Sequence, residues 1–263
     1  VIFEYLCSMY VRAKKSLGQH FLKDHKIAAR IVDSLLLEDR AEVLEVGPGT
    51  GVLTQFLINR DGVNLKLAEI DTESVEYLRA TYPSLGDRLI EGDFLKMDLS
   101  EMFKGDFHVI GNFPYNISSQ IFFKILENKE QVPQVVGMIQ KEVAERLASA
   151  PGKKAYGILS VLLQAWYSID YLFTVDEGSF IPPPKVKSAV IRLVRNNRVS
   201  LGCNEQLFKE VVKTTFNQRR KTIRNSIKPL LKGREIEITP LLDKRPEQLS
   251  VEEFVTLTNS ILS

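Results

Sequence analysis

Three features of the chain predict an α/β fold, a mostly parallel sheet covered on both faces by helices. Between about Val43 and Gln140, short apolar runs alternate with segments of helical spacing. The first apolar run breaks into a glycine-rich turn, GPGTG, ahead of a helical segment. After about Arg195 the alternation stops and helical patterns with basic faces take over, which predicts a small separate helical domain.

Taken in order, EVLEV is a short apolar run ended by the glycines, VLTQFLINR has helical spacing, and NLKLAEI alternates as a strand does. TESVEYLRATY reads as a helix opened by a Thr cap, Thr72. FHVIG and VVGMIQ are further buried strands, and KEVAERLAS and YGILSVLLQAWYS are helical stretches. SIDYLFTV and VKSAVIRLV are expected as two late strands, an antiparallel pair at one sheet edge. IPPPK between them is neither helix nor central strand, because three prolines remove three backbone donors. NNRVSLG is a polar break; NEQLFKEVVKTTFNQRRKTIRNSIKPLL then reads as helices, and SVEEFVTLTNSIL as a last helix capped by Ser250. The expected domains are residues 12–195 and 196–263. The opening VIFEYLCS lacks the basic start and long apolar middle of a secretory signal. Residues 1–11 read either as a disordered or non-native extension around a natural start at Met9, or as an ordinary structured segment.

Of the 263 residues, 44% are hydrophobic and 26% charged, an ordinary soluble balance. No apolar run approaches the roughly 20 residues needed to span a bilayer, so no membrane association is expected. Two cysteines, Cys7 and Cys203, exclude a disulfide framework and point to a reducing, cytoplasmic compartment. The three histidines, His20, His25 and His108, are not at metal-ligand spacing with cysteines, and no metal is expected. The net charge of +2 conceals a split. From Ser179 to Arg234 there are fourteen Lys and Arg against Glu205 and Glu210, a local +12 that leaves −10 for the rest. Such a split favours a polyanion at one face; the plain alternative is a solvated helical surface.

Four stretches carry candidate chemistry. In EVGPGTG, Glu45 to Gly51, glycines at alternate positions let the backbone turn tightly and approach a ligand, with Gly47 and Gly49 nearest it and the next helix presenting its free N–H groups. Such a turn serves NAD, a flavin or S-adenosylmethionine, or is only a turn. The G-x-G-x-G spacing and the expected charge of Glu45, which would repel a pyrophosphate, favour S-adenosylmethionine. LAEID places Glu69 where an acid accepts from ribose hydroxyls, with Asp71 as competitor. Asp93 in EGDF is an acceptor for an adenine amine with Phe94 beside the ring, or a turn residue. In NFPY, Asn112 to Tyr115, the Asn112 side-chain oxygen and the Phe113 carbonyl can accept from the two hydrogens of an exocyclic amine, Pro114 stiffens the turn, and Tyr115 offers a stacking face. Phe180, ahead of the proline loop, either closes over the other face of a flipped base or is a core residue. FNQRRKTIRNSI packs Arg219, Arg220, Lys221 and Arg224 onto about two helical turns, suited to phosphate contact, or to a solvated face.

With KKSLGQHFL, EVGPGTGVLT, AEID, GDF, NFPYNIS, IPPPKVKSAVI and FNQRRKTIRNSI in place nearly end to end, the chain resembles the small-subunit rRNA adenine dimethyltransferases, the KsgA family. The resemblance implies a Rossmann-like S-adenosylmethionine-dependent methyltransferase domain with a small helical C-terminal domain that binds RNA. The implied reaction moves methyl groups to N6 of two adjacent adenines in the 3′-terminal hairpin of 16S rRNA, within an immature small ribosomal subunit, by a chain acting as a monomer. It also implies that Gln19, His20 and Leu22 border the cofactor, that Gly47 lies under its methionine part, Glu69 on its ribose and Asp93 on its adenine, and that Asn112 faces both cofactor and target amine. Many relatives carry Asn in place of His20, a change that a backbone contact survives. The second tetrad position is usually Leu or Ile, and Phe113 departs from it with little expected effect, since only its carbonyl is used. Other readings are a macrolide-resistance methylase of large-subunit rRNA, a ribosome-assembly checkpoint in which binding outweighs catalysis, and a DNA adenine methylase, which fits less well because the sequence shows no separate sequence-reading module.

Overall fold

The computed structural model describes residues 11–231, 233 and 235–262. Met9, Cys7 and most of the expected N-terminal extension lie outside the described residues. The strands are β1 (Phe21–Leu22), β2 (Ala41–Val46), β3 (Val63–Glu69), β4 (Leu89–Glu91), β5 (Phe107–Asn112), β6 (Gln134–Gln140), β7 (Tyr167–Val175), β8 (Phe180–Ile181) and β9 (Ser188–Arg195). The helices are α1 (His25–Asp33), α2 (Thr54–Leu57), α3 (Thr72–Thr81), α4 (Leu99–Met102), α5 (Ser118–Glu127), α6 (Lys141–Leu147), α7 (Ile158–Gln164), α8 (Glu205–Asn217), α9 (Ile223–Ser226), α10 (Lys228–Leu231) and α11 (Val251–Asn259).

Seven strands form one sheet in the order β4-β3-β2-β5-β6-β9-β7. β4, β3, β2, β5 and β6 are mutually parallel, and β9 runs antiparallel to β6. The chain winds outward from β2 in both directions, so the order reverses between β2 and β5. In such sheets ligands bind beyond the carboxyl ends of the strands at that reversal. β5 and β6 are buried along nearly their whole lengths, as strands covered on both faces must be, which is why FHVIG and VVGMIQ are continuous apolar runs. The late strands β7 and β9 sit side by side at the sheet edge. β1 and β8 form a separate antiparallel pair in the register Phe21↔Ile181 and Leu22↔Phe180.

The chain divides into two compact units, one comprising the residues up to Ala144 with Asp170–Arg195, the other Glu145–Ile169 with the chain from Asn196 on. A single break near residue 196 does not describe this division. In the second unit α7 packs on α8, and the Asn196 N–H donates to the Trp166 carbonyl at 2.9 Å. Phe216 stacks on Phe254 with ring centroids 5.9 Å apart, which ties α8 to α11. The expected cap of α11 is present. The Ser250 hydroxyl accepts from the Glu253 N–H at 3.1 Å while the Glu253 carboxylate accepts from the Ser250 N–H at 2.9 Å. The Thr72 cap is corrected: Thr72 is the first residue of α3 and Asp71 occupies the cap position.

Candidate active site

Four parallel strands deliver their carboxyl ends to one place. β2 ends in Val46 just before Gly47, β3 in Glu69, β4 just before Gly92 and Asp93, and β5 in Asn112; all six residues line one cavity of about 300 Å³. Ligand pockets of small molecules begin at about this size. Gln19, His20, Gly49, Phe94, Phe113, Pro114 and Tyr115 line it too, so the structure brings together eleven of the expected catalytic and cofactor residues.

The glycine loop is closed by its own backbone. Gly47 and Gly49 have φ of +68° and +56°, a left-handed conformation that side chains rarely adopt. A Cβ on Gly47 would lie 3.9 Å from the Pro114 ring, so loop and tetrad face each other across a narrow gap. The loop does not run straight into a helix: α2 starts at Thr54, three residues beyond Gly51, and has four residues. The Gly49 N–H is already taken, donating to Glu69 at 2.9 Å. The other Glu69 oxygen accepts from the Asp71 N–H at 2.9 Å. Burial pushes the Glu69 carboxyl up, against the hydrogen bonds of the Asp71, Gly49 and Ile70 amides. With three of its roughly four lone-pair sites used by amides, the Glu69 carboxylate keeps room to accept from one ligand hydroxyl.

Glu45 departs from expectation. It is 1% exposed, and it lines a separate small crevice behind the loop. Burial pushes its carboxyl up to about 8, with the nearby Glu69 charge adding to the rise and the Thr54 hydroxyl, which donates to it at 2.7 Å, opposing it. At neutral pH Glu45 is largely protonated, so it does not screen ligands by charge. Asp71, the competitor of Glu69, is absent from the cavity lining. Its carboxylate binds the Lys14 ammonium, the Gln19 amide at 3.3 Å and the Ser74 hydroxyl at 3.0 Å. Burial raises the Asp71 carboxyl, and these partners more than offset it, holding it below its ordinary value. Gln19 thus reaches the cavity wall while its side chain latches the 14–20 segment to Asp71 at the start of α3. Asp93 is the cap of a short turn, accepting from the Leu95 N–H at 3.0 Å, and it also lines the cavity.

The tetrad follows β5. The Asn112 amide donates to the His20 carbonyl at 2.9 Å, which leaves its Oδ1 as an acceptor with no partner among the described residues. The Phe113 N–H donates to the Met138 carbonyl at 3.0 Å, extending the β5–β6 ladder by one residue. The Phe113 ring is fully buried, edge-on to Phe122 with centroids 5.9 Å apart. The Tyr115 hydroxyl bonds Ser188 at 2.5 Å, and its ring lies 5.3 Å from that of His20. The His20 Nδ1 is 2.8 Å from the Pro182 carbonyl, so His20 joins the tetrad to the proline loop.

Two expected residues lie elsewhere. Leu22 faces the small crevice and the core, not the main cavity. Phe180 is corrected to a core residue: it is 1% exposed, pairs with Leu22 across β1 and β8, and has no face open to a base. The basic cluster is also rearranged. α8 stops at Asn217, so Arg219, Arg220 and Lys221 lie in the turn before α9, and Arg224 lies on α9. Arg219 donates to the Lys154 carbonyl at 2.7 Å and faces Glu247 at 3.7 Å; Arg224 pairs with Asp243 at 2.9 Å. Arg220 and Lys221 are exposed, with no acidic partner among the described residues.

Sequence reading missed Ile70, a half-exposed apolar side chain in the cavity wall, although it stands between Glu69 and Asp71. It also missed Ser188, the anchor of Tyr115, for which no local signal exists. Among the described residues no group of three or more His, Cys, Asp or Glu is placed to hold a metal. No helix there is long and apolar enough to cross a membrane.

The chain is similar to known proteins in sequence and fold. The sequence pattern of the ribosomal RNA adenine dimethylases matches residues 10–262. The chain is 63% identical over 254 residues to the ribosomal RNA small subunit methyltransferase A of Bacteroides thetaiotaomicron, covering 95% of this chain and 94% of that one. It is also 63% identical to the protein of the same name from Parabacteroides distasonis, covering 94% and 93%. Among solved structures, a dimethyladenosine transferase from Plasmodium falciparum superposes with a TM-score of 0.77 at 24% identity, over 93% of this chain and 100% of that one. The 23S rRNA methyltransferase ErmE gives 0.67 at 25% identity, over 91% and 99%. The chain belongs to the ribosomal RNA adenine dimethylase family.

Proposed function

We propose that the chain transfers methyl groups from S-adenosylmethionine to N6 of two adjacent adenines in the 3′-terminal hairpin of 16S rRNA, within an immature small ribosomal subunit. The observation that carries this reading is the Asn112 side chain, whose amide N–H is held by the His20 carbonyl and whose oxygen is left to accept.

The cavity residues fit the methyl donor. Of the residues that line the cavity, Glu69 at the end of β3 would offer an oxygen to a ribose, Asp93 an acceptor to the adenine amine, Ile70 and Phe94 apolar surface to its ring, and Gly47 room for the methionine part. S-adenosylmethionine, when bound, supplies an electrophilic methyl carbon on a sulfonium. The exocyclic amine of adenine is a poor nucleophile because its lone pair is delocalised into the ring. The Asn112 oxygen and the Phe113 carbonyl accept from its two hydrogens and draw the nitrogen towards tetrahedral geometry, which frees the lone pair. Pro114 restricts Phe113, the residue before it, to extended conformations and so narrows the direction of that carbonyl. Tyr115 supplies a stacking face, held by Ser188. The methylated nitrogen is acidic and loses its proton to water, so no dedicated base is required.

In this reading Arg220 and Lys221 contact RNA phosphates, and Arg219 and Arg224 hold the turn that presents them. The protein acts as a monomer in the cytoplasm. The 63% identity to small-subunit methyltransferases, against 25% to ErmE, favours the small subunit as substrate. The test is incubation with labelled S-adenosylmethionine and unmethylated small or large subunits, followed by digestion. Label in N6,N6-dimethyladenosine from the small subunit supports the reading; label only in large-subunit RNA, or none, overturns it.

A further inference from the structure

The second acceptor of the tetrad has an unusual support. β5 and β6 place Gly111 opposite Gly137 in register, each fully backed by sheet. A Cβ built on Gly137 would lie 2.5 Å from Cε2 of Phe113, and one built on Gly111 would lie 2.8 Å from Cε1 of the same ring. Both distances are far inside van der Waals contact, and the Cβ on Gly111 would also lie 2.5 Å from the Val46 carbonyl oxygen. The Phe113 ring therefore lies in a slot floored by two paired glycines, with Phe122 edge-on at its side. Neither glycine has a positive φ. Their small size is required by the ring above them, since an ordinary φ accommodates any residue.

This slot sits one peptide from the chemistry. Residue 113 is held at three points: its N–H on the Met138 carbonyl, its ring on Gly111 and Gly137, and its carbonyl carbon bonded to Pro114. Since the peptide unit is planar, fixing the N–H, the side chain and the following imide fixes the direction of the carbonyl. No hydrogen bond among the described residues takes that carbonyl.

We propose that Gly137, with Gly111, is a positioning residue for methyl transfer: by admitting the Phe113 ring it aims the Phe113 carbonyl at the target amine. The proposal rests on the reading that this carbonyl accepts from the amine. Phe113 and Gly137 then form one size-matched pair. A methyl group added at 137 pushes the ring, and with it the carbonyl, out of line, and a smaller side chain at 113 gives the space back. Misplacement of a reacting partner by about 1 Å costs on the order of 10²-fold in rate.

The test compares single-turnover methyl transfer, binding of S-adenosylmethionine and thermal unfolding in wild type, Asn112→Ala, Gly137→Ala and the double variant Gly137→Ala with Phe113→Leu. The expected result is a fall of ~10-fold or more in the methyl-transfer rate of Gly137→Ala, with donor affinity within about 2-fold of wild type, and recovery of most of that rate in the double variant. Should Gly137→Ala fail to fold, the double variant is expected to be folded and active. Wild-type rates in Gly137→Ala, or a double variant no better than the single in rate or folding, overturn the pairing. Full activity in Asn112→Ala instead overturns the reading on which it rests, so the two failures are distinguishable.

Discussion

The side-chain amide of Asn112 donates to the backbone carbonyl of His20 at 2.9 Å, across 92 residues of sequence. One bond thereby joins the tetrad at the end of β5 to the 14–20 segment that forms the opposite wall of the cavity. One amide hydrogen is held by His20, and the amide oxygen, which has no partner among the described residues, is the acceptor left for substrate. The bond uses the backbone of residue 20, so a change of its side chain leaves the tether in place. His20→Asn is expected to keep methyl transfer within about 10-fold of wild type, since it loses one side-chain hydrogen bond, to Pro182, of ~1 kcal/mol. Steady-state kinetics on unmethylated small subunits checks this, and a loss of 100-fold or more would contradict it.

Asp71 is the second anchor of that segment, through Lys14 and Gln19. Removing its carboxylate in Asp71→Ala leaves both partners loose. The expected effect is a rise of ~10-fold in KM for S-adenosylmethionine with a smaller change in kcat, about the loss of one charge-assisted hydrogen bond. Equal falls in kcat and kcat/KM at constant KM would show that Asp71 acts on the reacting atoms and not on the cavity wall.

Glu45 sets a pH dependence of stability. Its folded pKa, about 8, lies above the unfolded value of 4.5. The native state therefore holds a proton that the unfolded state has released over this window. The stability this proton confers is fully present below about 4.5 and is lost as pH rises towards 8, by up to about 1.4 kcal/mol per pH unit. Glu45→Gln keeps an acceptor for the Thr54 hydroxyl and carries no charge. Urea unfolding at a series of pH values is expected to show the variant gaining on wild type from pH 5 to 8 and no further above it. Parallel curves would contradict the protonated, buried carboxyl.

The basic turn divides into structural and exposed members. Charge reversal of Arg220 and Lys221 together is expected to weaken RNA binding and to lower the slope of log K against log salt by about 2, one for each phosphate no longer neutralised. Fluorescence anisotropy at several salt concentrations gives the slope; an unchanged slope would remove these two residues from the RNA interface.

Most of the fold was legible because each buried parallel strand is a continuous apolar run, and FHVIG and VVGMIQ permit few other assignments. The cavity was legible where its lining follows a strand end within one short segment, as at Gly47, Glu69, Asp93 and Asn112. What sequence could not give depends on distant partners. Phe180 before a proline loop reads alike whether its ring meets a base or Leu22. Gln218 to Lys221 contains no Gly or Pro to mark the break after α8, so four cations read as one helical face. The nearly continuous apolar run of α7 shows that the helix is buried but not against what, which is why the sequence did not group Glu145–Ile169 with the chain from Asn196 on. The Asp71–Thr72 pair offers two good cap residues in a row, and only the structure selects Asp71. The charge expected of Glu45 failed because burial, which alternation of residues does not measure, decides its protonation.

Asn112→Ala tests the central claim most directly. The variant removes the acceptor for the target amine and the tether to His20 while leaving β5 and the glycine loop intact. Methyl transfer to unmethylated small subunits, measured at saturating S-adenosylmethionine beside circular dichroism and donor binding, is expected to fall by ~10²–10³ in a protein that stays folded. A folded Asn112→Ala protein that transfers methyl groups at the wild-type rate would contradict it.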